Sequence, residues 1–364
     1  SWRYTVTTSP GTPGQGHPSY PSGLPPYSPG SPGSSGPATL TFVSNTFQIT
    51  GTNIDQTVYP FKNYRLGQAI TVAENGTYAS GQTLETTEQL GLGGEVIVIH
   101  NDGTRKKQHI NVAYSAPHPR FGASVKLKSD ASHLLVGSPG INRVSLYRNV
   151  SNNFEQPTLT TPSGIATTAR FGERIEATDT FSRVFVYAPG EETNGAVYIY
   201  SMSSNTLTFI EKMTLPTLPN GFKPAMDMRS VADINKLYFN AYNSTTQTYV
   251  VVEFTRVAGL WNVTETFDNP NPGTPDLFGS HYSVSEDGRV VAISSIGDSG
   301  MKGVLNIWAN VDGEWIFFDS VIDEEAEFGD QFGKFISLAT NGKNAVTIRR
   351  RDDGSNGDDI LYLK

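Results

Sequence analysis

The chain has 364 residues with a formal net charge of −8, 37% apolar residues, 36 glycines, 22 prolines and no cysteine. The acidic balance argues against nucleic-acid binding through a general basic face, and no apolar run approaches the roughly 18 residues of a membrane-spanning helix. A secreted eukaryotic protein of this size would usually carry disulfides, so the lack of cysteine favours a bacterial or viral source.

Residues 1–37 are predicted to form an extended N-terminal arm. Residues 9–37 are almost entirely Pro, Gly and Ser, a composition that cannot bury a core and favours a polyproline-like conformation. Tyr20, Leu24 and Tyr27 are the large apolar side chains of this stretch. We expect them to anchor the arm against other virion or surface protein chains, with a plain linker as the alternative.

Residues 38–104 are predicted to form a small β-sandwich that is comparable to an immunoglobulin-like spacer domain. Asn75-Gly76 and Asn101-Asp102-Gly103 are strong hairpin turns. The region lacks the Cys and Trp marks of a true immunoglobulin domain, and a mechanical role is expected. The predicted strands are Thr39–Val43, Phe47–Thr50, Thr57–Phe61, Ala69–Ala73 and Glu95–His100.

Residues 105–364 are predicted to form a β-propeller. The stretch Arg170–Pro216 contains four short apolar runs separated by Gly, Pro, Asn and Ser, which predicts four antiparallel strands in a meander, the unit of a propeller blade. Similar units recur at intervals of roughly 50 to 56 residues, a period typical of propellers and other repeat proteins. A degenerate copy begins at Phe222. Four of the five units open on a Phe-Gly pair: Phe121-Gly122, Phe171-Gly172, Phe278-Gly279 and Phe332-Gly333.

The phrases RFGASVKLKSDASHLLVGSPG and RFGERI…VFVYAPGEETNGAVYIY resemble FG-GAP repeats, the blade motif of integrin α-subunit propellers and of many bacterial and phage surface proteins. The resemblance covers roughly residues 105–364. The family often carries calcium in a loop after the second strand. The matching loops, residues 190–194 and 297–300, have too few alternating carboxylates for a cation that takes six or more oxygens, so no metal or other cofactor is expected.

The five repeat units predict five four-stranded blades. The fifth unit ends at Lys364 directly after its third strand, so a ring needs one outer strand from elsewhere. Residues 105–114 are expected to supply it, which would tie the ends of the domain together. Two alternatives stay open: these residues pair with Glu95–His100 as a hairpin, or further blades are supplied by another chain or by sequence beyond these 364 residues.

Catalytic residues are not evident in the sequence. The six histidines show no metal-binding spacing, and Gly137-Ser138-Pro139 is not a nucleophile elbow. Carboxylates on inner strands would be the candidates for a propeller glycosidase, and the acidic residues there are Glu173, Glu176 and Asp227. Because these three have no matching partners in the sequence pattern, the chain is predicted not to be an enzyme, with a glycoside hydrolase as an alternative.

Tryptophans at the outer hairpins offer a second type of binding site. Trp261, Trp308 and Trp315 would stack on a glycan if exposed, whereas packing between blades is the alternative. The best overall interpretation is a virion structural protein resembling the tail-associated proteins of large tailed phages. Its arm would contact other virion chains, and its head would bind a glycan or protein receptor. A bacterial surface adhesin is the alternative, and both place the chain outside the cell or on a surface.

Overall fold

The protein is an assembly of β-strands in the computed structural model, which describes residues 4–6, 42–47, 64–84, 92–101, 106–113, 117–271, 277–297, 302–324, 326–349 and 359–363. These residues contain two short 3-10 helices and no α-helix. None of the described helices has the length and apolar character needed to cross a membrane. The all-β prediction is therefore confirmed.

The described strands form six antiparallel sheets, five of them four-stranded meanders. Sheet 1 contains β3 (Tyr64–Val72), β4 (Tyr78–Leu84), β5 (Leu92–Ile99) and β6 (Lys107–Ala113). Sheet 2 contains β7 (Val125–Leu127), β8 (His133–Ser138), β9 (Arg143–Asn149) and β10 (Phe154–Thr160). Sheet 3 contains β11 (Arg174–Ala177), β12 (Val184–Ala188), β13 (Ala196–Ser203) and β14 (Thr206–Thr214).

The later sheets repeat this order, and the last includes strands from both ends of the chain. Sheet 4 contains β15 (Lys223–Ser230), β16 (Lys236–Asn243), β17 (Thr248–Val257) and β18 (Leu260–Phe267). Sheet 5 contains β19 (Phe278–Val284), β20 (Val290–Ser295), β21 (Val304–Val311) and β22 (Glu314–Ile322). Sheet 6 contains, in spatial order, β23 (Ile336–Leu338), β24 (Ala345–Arg349), β25 (Asp359–Leu363), β2 (Phe42–Phe47) and β1 (Tyr4–Val6).

Sheet 6 is completed by N-terminal strands and not by residues 105–114. β2 pairs with β25, with Asn45 opposite Tyr362. β6 pairs with β5, with Ile110 opposite Val96. The predicted closure by 105–114 is therefore wrong, and the described residues form one more sheet than the five predicted. Because β5 and β6 are close in sequence, pairing them closes only a short loop and costs little conformational entropy. Pairing residues 105–114 with the last sheet would close a loop across the whole domain, which costs more.

The predicted sandwich falls on residues that belong to two different sheets. β2 lies in sheet 6, while β3, β4 and β5 lie in sheet 1 and are completed by β6 beyond residue 104. The described part of 38–104 is thus not a separate sandwich. Its apolar side chains pack on sheet 2 instead, as Ala79 and Val96 do with Val136. The hairpin turn predicted at Asn75-Gly76 is confirmed between β3 and β4, with Gly76 at φ 82°.

The core lies between consecutive sheets. Five clusters of buried apolar residues each join one sheet to the next, from sheets 1 and 2 through to sheets 5 and 6. The four Phe-Gly pairs have a common place in these clusters. Their phenylalanines, Phe121, Phe171, Phe278 and Phe332, are at most 1% exposed.

The glycine of a Phe-Gly pair lies against the backbone of the preceding sheet. A Cβ atom on Gly137 of β8 would lie 2.1 Å from the carbonyl oxygen of Gly172. Gly172 itself has φ 93°, a conformation that side-chain-bearing residues rarely adopt. The Phe-Gly pair therefore combines a large apolar anchor with a backbone position that allows the sheets to approach closely.

The innermost strands of the six sheets stand next to one another around a central channel. β3, β7, β11, β15, β19 and β23 contact each other in that order, and residues from all six line one cavity. At one end of the channel, backbone hydrogen bonds link neighbouring sheets, as from the Ala232 N–H to the Glu286 carbonyl (2.7 Å). This arrangement confirms the predicted propeller class.

Replacing a Phe-Gly phenylalanine is expected to weaken the fold. Phe171→Ala removes a fully buried ring that packs edge-on against Tyr198 at 5.3 Å, and the expected loss in the free energy of unfolding is about 3–5 kcal/mol. Phe328→Ala is the control because Phe328 is 72% exposed, and its expected effect is below about 0.5 kcal/mol. Urea denaturation followed by tryptophan fluorescence measures both, and equal losses would contradict this account of the core.

Candidate functional site in the central channel

The central channel is a cavity of about 920 Å³. Its side chains follow from the two-residue alternation of a strand. In β11, Ile175 and Ala177 are buried between sheets, so Arg174 and Glu176 face the channel. The same alternation in β7 turns Lys126 inward, and in β15 it turns Asp227 and Arg229 inward on either side of buried Met228.

Glu176 is the centre of an ionic wall. Its carboxylate accepts hydrogen bonds from Lys126 Nζ at 3.0 Å and from Arg229 at 3.3 Å, and Arg174 lies 3.6 Å away. The Glu176 side chain is only 10% exposed. Three cations from three consecutive sheets thus surround one almost buried carboxylate.

Asp227 is the second carboxyl group of this wall. Its Oδ1 lies 2.8 Å from Arg174 and 3.1 Å from Arg229. Burial raises the pKa of Asp227 to about 6, against the opposing effect of Arg174, and the charge of Glu176 adds to the rise. The channel therefore contains two neighbouring carboxyl groups in different environments, one of which titrates near neutral pH.

The opposite side of the channel is apolar. The cavity is lined here by Phe335, which directly precedes β23, and by Ile70 and Val72 of β3. These three residues remain 53%, 65% and 64% exposed, respectively. His281 lies beside the Phe335 ring, with ring centroids 5.4 Å apart. Burial lowers the pKa of His281, and Lys334 adds to this, so its imidazole is neutral at neutral pH.

A further pair of carboxyl groups lies among the channel-lining residues, just beyond the ends of β11 and β19. Asp179 and Glu286 share a side-chain hydrogen bond, which together with burial raises the pKa of Glu286. No cluster of three or more potential metal ligands occurs within the described ranges.

The structure brings together two of the three acidic residues singled out in the sequence. Glu176 and Asp227 lie side by side in the channel, where both contact Arg229. Glu173 is not a channel residue; its carboxylate accepts two hydrogen bonds from Arg120, at 2.8 and 3.0 Å, and also contacts Arg170. The proposed arm anchors Tyr20, Leu24 and Tyr27 lie outside the described residues.

The three tryptophans lie away from the channel. Trp308 is 7% exposed and packs with Phe267 and Phe278 between sheets 4 and 5. It therefore offers no free face to a sugar, and the alternative of packing between sheets is the correct one. Trp261 and Trp315 are half-buried, and their indole N–H groups donate to Glu211 (3.4 Å) and Glu253 (3.1 Å).

Sequence reasoning missed the cationic and apolar partners in the channel. Lys126, Arg174 and Arg229 occupy inner strands, as do Glu176 and Asp227, and Phe335 directly precedes one. The signal was available in the strand alternation, because each of the charged side chains stands next to a buried apolar residue, such as Ile175 or Met228. Which of these charged side chains meet depends on how neighbouring sheets pack, and those sheets are roughly 50 residues apart in sequence.

No protein family model and no curated protein match this chain. Solved structures match at low identity. A "putative 6-phosphogluconolactonase" from Bacteroides uniformis is 13% identical with a TM-score of 0.50, over 81% of this chain and 85% of that one. The β-propeller domain of Myceliophteria thermophila Cps50 (Swd1) is 13% identical with a TM-score of 0.43, over 83% and 98%. The GH74 xyloglucanase from Xanthomonas campestris is 14% identical with a TM-score of 0.48, over 80% and 46%.

These likenesses concern the fold and assign no reaction. The prediction that the chain is not an enzyme is nevertheless wrong as an inference from this fold, because one solved structure that shares the fold is described as a putative 6-phosphogluconolactonase. The prediction was wrong in treating scattered inner-strand carboxylates as unmatched, when the channel places two of them on the same arginine.

The pKa of Asp227 is expected to respond in opposite directions to its two neighbours. Arg174→Gln removes a cation that favours the ionised carboxylate, so the pKa of Asp227 rises above about 6. Glu176→Gln removes a repelling charge, so the pKa falls. Carboxyl ¹³C NMR titration measures both shifts, and a shift of the same sign in the two variants would contradict the proposed geometry.

Asp227 is also expected to make stability depend on pH. Its pKa is raised from an ordinary 3.8 to about 6 in the folded protein, so the folded state binds this proton more tightly than the unfolded chain does. The contribution is full below about pH 4 and is lost as the pH rises to 6. The free energy of unfolding of Asp227→Asn, relative to the unchanged protein, should therefore rise by about 2–3 kcal/mol between pH 4 and 6. Urea denaturation at each pH measures this difference, and a flat difference would contradict it.

Proposed function

We propose that this chain is a virion attachment protein whose propeller binds a neutral carbohydrate in its central channel. The observation that carries the proposal is the two-sided lining of one cavity. One side presents exposed apolar side chains around Phe335, and the other presents a fixed set of charged hydrogen-bonding groups around Glu176. A sugar ring has the matching chemistry, with C–H groups on its faces and hydroxyls at its rim.

The polar wall suits hydroxyl groups. Carboxylates accept hydrogen bonds and guanidinium groups donate several in fixed directions, so neighbouring hydroxyls can be bound in pairs. These side chains are held by one another, as Arg229 is by Glu176 and Asp227. They therefore lose little additional freedom on binding.

The charge balance favours a neutral ligand over an anionic one. Lys126, Arg174 and Arg229 are offset by Glu176, by Asp227 and by the hydrogen-bonded pair of carboxyl groups at the channel end. No uncompensated cation remains among these groups to attract a phosphate or sulfate. The cavity of about 920 Å³ is also within the roughly 300–1,000 Å³ of small-molecule sites.

The wider assignment extends the sequence-based interpretation. An FG-GAP-type propeller of six blades is supported by the four Phe-Gly pairs at equivalent buried positions and by the six sheets. Attachment to a virion through residues 1–37 is supported by their Pro-, Gly- and Ser-rich composition and by the lack of cysteine.

Removal of the Phe335 ring is expected to weaken glycan binding. A glycan array of neutral oligosaccharides identifies the ligand, and isothermal titration calorimetry measures its Kd. Phe335→Ala should raise Kd about three- to tenfold, the effect of losing one aromatic contact. Because Phe335 is already 53% exposed, the fold should be little affected.

Phe328→Ala is the matched control, since this ring is 72% exposed and is not among the residues that line the channel. Its Kd should equal that of the unchanged protein. The proposal would be rejected if the array showed no neutral glycan bound, or if both phenylalanine variants bound equally well.

A further inference from the structure

The first described strand of the chain lies outside the repeating unit of the fold. The other five sheets that the structure describes contain four strands each, and sheet 6 already has four with β23, β24, β25 and β2. β1 (Tyr4–Val6) is a fifth strand on the outer edge of sheet 6. Sheet 6 therefore matches its neighbours without β1, and the ring of sheets gives no reason for this additional strand.

β1 is held by one half of β2. The register places Thr5 opposite Val43, at the centre of three residue pairs. β25 pairs with the other half of β2, from Asn45 to Phe47. Among the described strands, β1 pairs with β2 alone. β1 and this half of β2 thus extend the sheet as a two-stranded ribbon, an arrangement that is only marginally stable in water on its own.

Bulges and a proline protect the outer strands of sheets 2 to 5 against further pairing. β14, β18 and β22 each contain one residue that has no opposite residue in the strand pairing, namely Ile210, Thr264 and Phe318. β10 contains Pro157 and a register shift. Such features oppose the addition of a strand from another molecule. β2 pairs with β25 without a shift, so its outer edge is suited to strand addition.

The connection between β1 and β2 is far longer than a hairpin. β13 and β14 are joined by Ser204 and Asn205 alone, whereas β1 and β2 are separated by residues 7–41. The entropy cost of bringing two strands together rises with the length of chain between them. The effective concentration of β1 at its own β2 is therefore at most about millimolar. β1 of a second copy at a comparable concentration competes for the same edge.

We propose that β1 is a donor strand that binds the β2 edge of a second copy of this chain, so that two copies hold each other reciprocally. The donated strand has the same sequence as the one it replaces, so the pairing of Thr5 with Val43 is kept across the interface. Reciprocal donation of an identical element is a low-cost route to a closed dimer. The inference goes beyond the proposed function, because it needs neither a carbohydrate nor other virion chains.

Disulfide trapping tests the donation on the full chain, which contains no cysteine of its own. Opposite residues of antiparallel strands have Cα atoms about 4.5–5.5 Å apart, a separation that a disulfide bridges. One preparation carries Thr5→Cys, and a second, uniformly labelled with ¹⁵N, carries Val43→Cys. The two are mixed at about millimolar concentration, where a second copy competes with the tethered strand. After oxidation, intact mass spectrometry identifies the linked products.

The expected product is a disulfide-linked dimer of one unlabelled and one labelled chain. It should form at least about tenfold faster than in a mixture of Thr5→Cys with Leu260→Cys, because strand pairing holds the two thiols at a higher effective concentration than free collision does. Leu260 is the control because it is 70% exposed and lies on β18 of sheet 4. Equal rates in the two mixtures would overturn the proposal.

The double variant Thr5→Cys/Val43→Cys separates donation from pairing within one chain. It should form an internal disulfide at about micromolar concentration and a linked dimer at about millimolar concentration, on either side of the effective concentration of the tethered strand. An internal disulfide at both concentrations, with no dimer, would show that β1 stays on its own chain and would overturn donation. Absence of both products would overturn the pairing of β1 with β2 itself.

The dimer is also measurable without cysteine. Native mass spectrometry of the unchanged protein at about millimolar concentration should show a dimer that is lost in Thr5→Pro and kept in Thr5→Val. Proline lacks the N–H group that strand pairing uses, whereas valine favours strands. Because sheet 6 has four strands without β1, both variants should fold. A monomer at this concentration, or equal dimer fractions in the two variants, would contradict donation, and neither result bears on carbohydrate binding in the channel.

Discussion

Close contact between neighbouring sheets is the constraint on which the structure depends. Each Phe-Gly pair inserts a buried ring between two sheets. At Phe121-Gly122 and Phe171-Gly172 its backbone lies so near the preceding sheet that the facing residues, Gly81 and Gly137, must lack a side chain. The large apolar area of the ring supplies the stabilisation. Where this contact recurs, successive sheets take up similar positions about one axis.

This close packing determines what happens at the centre. Innermost strands stand side by side, so their inward side chains share one confined space. A charge in such a place is costly unless it is paired. Arg174, with Glu176 and Asp227 as its partners, follows that rule, and burial in the same place raises the pKa of Asp227. The packing of the innermost strands therefore also determines which charged groups line the channel.

Much of the local architecture could be predicted from the sequence. The runs between Arg170 and Pro216 gave the strands of sheet 3, since their β-branched and aromatic residues are separated by turn formers. Sheet 1 was missed because its residues carry no Phe-Gly pair, so the repeat had no visible mark there. The joining of β2 to β25 was missed because strand pairing between distant segments depends on the whole ring. The ionic wall was missed for a similar reason, since Glu176 and Arg229 meet only after two separate sheets have packed.

The completion of sheet 6 has a consequence for biosynthesis. β2 leaves the ribosome well before its neighbour β25, because the strands of sheets 1 to 5 lie between them in sequence. While those strands are translated, at about 5–20 residues per second, β2 waits with its hydrogen-bonding edge open. Such an edge invites association with other nascent chains. Synthesis on closely spaced ribosomes would therefore expose this protein to exchange of β2 between molecules, a hazard that lasts until β25 emerges.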